Sequence, residues 1–163
     1  MRGAFSRPSF WGCVAMTGAF FLDQLSKWLI MNVVMDPPRT ITLAPFWDLV
    51  LAFNRGVSFS LFRQDTQMGV WILCGVSVVI SLFLLFWLFK APTKLLAIGL
   101  GLMVGGALGN LLDRLQLGAV IDFLFFHWHQ YGFPAFNLAD SAITIGVGFI
   151  LLDNFLASRR SSE

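Results

Sequence analysis

Charge is what this sequence has least of. Only 12% of its 163 residues are Asp, Glu, Lys or Arg, 11 basic against 9 acidic, for a formal net charge of +2. Soluble domains carry about 25%. The shortage excludes a water-soluble fold, because a chain of this size has too little interior to hide a composition that is 57% hydrophobic. The small net charge also leaves nothing to hold a nucleic-acid backbone. Cysteine is scarce too: Cys13 and Cys74 fall inside apolar segments without metal-ligand spacing, and read as buried thiols with no chemical role. The two histidines, His127 and His129, form "HWH". With no third ligand in sight they read as interfacial loop residues, not a metal site. There is no internal repeat and no low-complexity tract.

What is present is apolar and arranged in blocks. A spanning helix needs about 20 mostly apolar residues. Four segments qualify, at about 10–35, 68–89, 95–112 and 139–157, which predicts a single membrane domain, an all-α bundle of four transmembrane helices. The polar turn "KAPTK" separates the second span from the third, with Pro92 as the stop. Arg2, Arg7, Lys90, Lys94, Arg159 and Arg160 all mark the same side. The positive-inside rule then places both termini and the 90–94 turn in the cytoplasm, and the connections at about 36–67 and 113–138 on the outer face. No small-x-small cleavage site follows the first span, so it reads as retained, not as a removed signal peptide.

Within the outer connections, "FWDLVLAF" (46–53) and "VSFSLF" (57–62) are rich in aromatic and branched residues and are separated by "NRG". They predict a small β hairpin lying on the outer membrane surface. In the third span Gly101, Gly105 and Gly109 recur every four residues, which lets another helix approach its backbone. The neighbouring "GLGLMVGG" lacks the third glycine of a dinucleotide loop and lies in a span.

The polar residues near hydrocarbon need a reason. Asp23 and Lys27 are four apart on one helix face, and Asp23 stands about 22 Å along the first span from Pro8. They either snorkel to the outer surface as an ion pair or brace a site there. Asp113 and Arg114 close the third span and read as markers of the water boundary, whereas Asn110, one turn deeper, needs partners. Asp140 in "NLADSAI" reads as the N-cap of the fourth helix. Asp122 in "VIDFLFF" has no such explanation; its apolar neighbours would raise its pKa. Two carboxylates beside one outer connection suit an aspartic-protease pair sharing a proton. From spacing alone they suit an ion or solute carrier equally well, or a non-catalytic protein packing through glycine-faced helices.

Five stretches then decide between these. "DQLSK" (23–27), "NRGVSF" (54–59), "GGALGNLLDR" (105–114), "VIDF" (120–123) and "FNLAD" (136–140) follow in order the boxes of the bacterial lipoprotein signal peptidases, also called signal peptidase II, and the chain resembles that family over nearly its whole length. The resemblance implies a membrane-embedded aspartic endopeptidase of the bacterial inner membrane, without metal or other cofactor. It would cut diacylglyceryl-modified prolipoproteins just before the lipidated cysteine. It implies Asp122 and Asp140 as the catalytic pair, with Asn54, Gly56, Asn110, Asp113, Arg114 and Asn137 binding or positioning and Asp23 and Lys27 supporting. It further implies a β-cradle on the outer, periplasmic face and action as a monomer in membrane lipid. Val57 departs from the family, many of whose members have alanine there; the extra bulk bears on pocket preference, not on the chemistry.

Overall fold

The computed structural model describes residues 7–56 and 67–160. In chain order these form α1 (Arg7–Leu29), a five-residue π-turn (Ile30–Val34), β1 (Ile41–Ala44), β2 (Trp47–Asn54), α2 (Gln67–Lys90), α3 (Lys94–Leu117), β3 (Val120–Trp128), β4 (Tyr131–Gly132) and α4 (Leu138–Arg160). The helices fall on the four expected segments: α2, α3 and α4 run past theirs at both ends, whereas α1 stops at Leu29 and the π-turn takes up the rest of its segment. Among the described residues three of them, α2, α3 and α4, are long and apolar enough to cross a membrane. The first, 23 residues long, is less apolar because Asp23, Gln24 and Lys27 interrupt its C-terminal half.

The third helix is the axis of the bundle. Thr93 caps its start, its hydroxyl accepting from the Leu96 N–H at 3.1 Å. Along its length, a methyl group added at Gly101, Gly105 or Gly109 would collide with Gly12, Met16 and the Asp23 carboxylate of α1. The expected glycine stripe is thus the seam that lets α1 and α3 touch backbone to backbone. Leu84, Leu88, Leu96, Leu100 and Val104 fill the end of the bundle near the α2–α3 turn. The other faces of α2 and α4 stay apolar and exposed, with Val79, Leu82, Phe83, Leu151 and Phe155 among them, as lipid-facing surfaces must be.

At the end of the bundle away from the α2–α3 turn lies a four-stranded antiparallel sheet in the order β1-β2-β3-β4. The expected strand at 46–53 is β2, but its described partners are β1 and β3. The expected second strand, 57–62, and with it Val57, lies outside the described residues. The strand Val120–Trp128 has no counterpart among the expected elements: its aromatic and branched residues suit an interior strand, which pairs β2 on one edge and β4 on the other. Ile121 and Phe123 pack against Ile30 and Met35, fastening the sheet to the end of α1.

Candidate active site

The site forms where β3 and α4 leave the bundle. Gly118, in the left-handed region at φ +71°, ends α3 and turns the chain into β3 within two residues. Asp122 then stands opposite Ala52 of β2, beside a register shift between Leu49 and Ala52. Irregularities of this kind re-aim a side chain. Phe136 is tied to β3 by three backbone hydrogen bonds, from the Phe123 and Leu124 N–H groups to its carbonyl (3.0 and 2.9 Å) and from its own N–H to Leu124 O (3.0 Å). The next residue, Asn137, is thereby delivered beside Asp122 at the start of α4.

Asn137, not Asp140, caps that helix. Its Oδ1 accepts from the Asp140 N–H at 2.9 Å, and Asp140 Oδ2 accepts from the Asn137 N–H at 3.3 Å. This reciprocal capping box puts Asp140 in the first turn, where its charge also meets the positive end of the helix. The expected N-cap role of Asp140 is corrected accordingly. Asparagine and aspartate three residues apart both qualify, and the pairing with β3 decides which of them starts the helix.

Three amides hold the two carboxylates. Asn137 Nδ2 donates to Asp122 Oδ1 at 2.7 Å, Asn54 Nδ2 to Asp122 Oδ2 at 3.0 Å, and Asn110 Nδ2 to Asp140 Oδ1 at 2.9 Å. Asn137 Nδ2 also lies 3.2 Å from Asn110 Oδ1, so the amides form a continuous bridge. Asn54 is itself oriented by Gly56, whose N–H donates to its Oδ1 at 2.9 Å and whose φ of +128° few other residues adopt. Burial, opposed by the Asn54 hydrogen bond and reinforced by the charge of Asp140, pushes the Asp122 carboxyl up to about 6.

Behind this pair is a second buried cluster. Lys27 Nζ is 2.7 Å from Asp23 Oδ2 and 2.8 Å from Asp113 Oδ2, and it donates to Asn110 Oδ1 at 3.0 Å. Asp23 is 0% and Lys27 2% exposed, so the pair does not snorkel: it braces the interior. Asp113 is likewise 2% exposed and is no boundary marker. Two facts overturn that expectation: α3 continues to Leu117, and the residue faces α1. Gln24, absent from the expected set, donates to Asp23 Oδ2 (3.2 Å), Gly109 O (3.2 Å) and Asp113 Oδ1 (3.0 Å). Its position between Asp23 and the rest of "DQLSK" was the only signal for it.

Arg114 donates weakly to Asn110 O at 3.4 Å, and its buried Nε has no partner among the described residues. It lines a cavity of about 260 Å³ with Asn110, Leu84, Met103 and Ile143. Asp140 lines a second, of about 540 Å³, with Phe133, Phe136, Ser141 and Ile145. Both cavities are mostly apolar; Asp140 lines the second directly, and its hydrogen-bond partner Asn110 lines the first. Apart from this centre, His127 belongs to β3, not to a loop, and its Nε2 lies 3.1 Å from Asp48 Oδ2. His129 sits in the turn after it, at φ +53°. Among the described residues no group of three metal-ligating side chains converges.

The family model described as "Signal peptidase (SPase) II" matches residues 15–156. A lipoprotein signal peptidase of Beijerinckia indica subsp. indica is 43% identical over 149 residues, covering 91% of this chain and 89% of the relative. One from Shewanella loihica is 44% identical, covering 86% and 84%. Among solved structures, a bacterial membrane enzyme determined by the in meso method at 2.3 Å resolution superposes with a TM-score of 0.75 at 25% identity, covering 90% of this chain and 88% of the other.

Proposed function

This chain belongs to the signal peptidase II family, bacterial inner-membrane peptidases that process prolipoprotein signal peptides, and we propose that its chemistry is aspartic, carried by Asp122 and Asp140. The observation that supports this is the single residue Asn137, whose side chain holds Asp122 and whose backbone N–H holds Asp140. Asp122 keeps the shared proton at rest, because burial and the negative charge of Asp140 both favour its neutral form. Asp140 takes a proton from water as the oxygen attacks the scissile carbonyl. Asp122 gives its proton to the developing oxyanion. In the tetrahedral diol that results, the C–N bond breaks as a carboxyl proton passes to the departing amine, and collapse of the second hydroxyl returns the proton that restores the pair. The unpartnered Arg114 Nε supplies a donor for substrate backbone.

In this reading the substrate is the diacylglyceryl-modified prolipoprotein, cut before its lipidated cysteine. The whole chain is one membrane domain of four spans, with α1 included because its polar residues are internally paired. Both termini face the cytoplasm, the sheet and the carboxylates face outward, and the protein works as a monomer in membrane lipid. The test is single-turnover cleavage of a diacylglyceryl-modified prolipoprotein by wild-type, Asp122→Asn and Asp140→Asn proteins, each first shown to be folded by its thermal transition in detergent. Loss of roughly 10³-fold or more in both folded variants is expected. Near-wild-type turnover in either one would sink the pair.

A further inference from the structure

We propose that the Lys27 ammonium is the positioning group that sets the separation of the two reacting carboxylates. This rests on the reading of Asp122 and Asp140 as the catalytic pair. Both carboxylates held by Lys27 have a second hydrogen-bonding partner. Asp23 Oδ1 accepts from the backbone N–H of Ala139 at 2.9 Å, and Asp113 Oδ2 accepts from the backbone N–H of Ile121 at 3.2 Å. Ala139 immediately precedes Asp140, and Ile121 immediately precedes Asp122. One cation therefore links two backbone anchors, one for each reacting residue, across four elements, α1, α3, β3 and α4.

Two further residues make the linkage stiff. Gln24 Nε2 spans the same two acids, and Asn110 connects Lys27 directly to Asp140. Lys27 is too deeply buried to meet substrate, so any effect on the reaction passes through the groups it holds. Without it, the Asp23 and Asp113 carboxylates would face each other unneutralised in a buried site and move apart, taking Ala139 and Ile121 with them. A carboxylate pair shares one proton only at short range, so its two macroscopic titrations approach each other as the pair separates. The charged and titratable groups around this centre are Asp23 and Lys27 from α1, Cys74 from α2, Asp113 and Arg114 from α3, Asp122 from β3 and Asp140 from α4; β2 contributes the neutral Asn54.

The experiment compares full-length wild-type protein with Lys27→Met and Asp113→Asn in detergent. It measures the thermal transition, kcat and KM on a lipidated prolipoprotein, the pH profile, and backbone hydrogen exchange. In Lys27→Met, kcat falls about 100-fold while KM changes less than about threefold, as for an interaction expressed mainly in the transition state. The two limbs of the pH profile draw together, and exchange quickens at residues 121–122 and 139–140. Should Lys27→Met fail to fold, Asp113→Asn takes its place: it keeps an oxygen for the Ile121 N–H, loses the ion pair, and shifts the same observables less. A folded variant whose pH limbs stay in place or move in parallel overturns the proposal, as does exchange that rises evenly along α1 and α3. Asp122→Asn and Asp140→Asn are assayed alongside. If they retain turnover, the catalytic pair itself is wrong, whereas the exchange data still report on the anchors.

Discussion

The Asp122 carboxyl gives the most direct handle on the reaction. Its pKa is pushed up to about 6 by burial first, with the neighbouring charge of Asp140 adding to the effect. If Asp122 is the member that must carry the proton, activity requires its neutral form. Then kcat/KM falls as pH rises through about 6. Asn54 opposes the shift by donating to the ionised oxygen. Replacing it with alanine removes that donor, raises the pKa further, and moves the falling limb to higher pH by about half a unit to one unit. A pH–rate profile of Asn54→Ala beside wild type checks the sign, and a limb that moved to lower pH would contradict the role given to Asp122. At this scale the sequence was informative but incomplete. Asp122 was legible because nothing in "VIDFLFF" explains a carboxylate. The spacing of Asp23 and Lys27 suits a snorkelling pair and a buried brace equally, and only the position of Asp113 across the α1–α3 seam separates the two.

Single elements carry separable roles. Asn137 is both the cap of α4 and the amide bridge to Asp122, and a serine can do only the first of these. Asn137→Ser is therefore expected to keep its thermal transition within about 1 kcal/mol of wild type while losing about 100-fold in kcat. An equal loss of stability and rate would show the cap to be its only role. The helix seam makes the opposite prediction. Alanine at Gly109 meets the Asp23 carboxylate and should cost about 1–3 kcal/mol through overpacking. Gly18 on α1 has open space around it, so Gly18→Ala should leave the thermal midpoint unchanged or raised. The glycine stripe was readable from its spacing alone. The third strand was not, since a short, mostly apolar run without alternation is ambiguous until its pairing partners are known.

For the molecule as a whole, six basic residues on one side set the expected orientation. In a background with Cys13 and Cys74 replaced by alanine, a membrane-impermeant thiol reagent applied from outside should label Gln130→Cys, in the turn between β3 and β4, and spare Pro92→Cys, between α2 and α3. The reverse pattern would invert the proposed topology. The spans of α2, α3 and α4 were legible because lipid demands long apolar runs, and those runs need no tertiary context to recognise. The outer sheet was only half legible: its register depends on Gly118, on the irregularity beside Asp122, and on the Phe136 bridge, none of which leaves a periodic trace.

The exposed flanks of α2 and α4 contrast with the glycine-lined, polar-tipped axis of α3. Hydrocarbon asks only that a side chain be apolar, whereas a neighbouring backbone or a buried ion asks for one shape. Saturation mutagenesis under selection for lipoprotein maturation should therefore record two regimes along neighbouring helices. Positions such as Val79, Phe83 and Leu151 should drift freely among greasy residues, while Gly105, Gly109 and Asn110 admit almost no replacement. The most hydrophobic helix of the protein would then be the one with the most freedom to diverge.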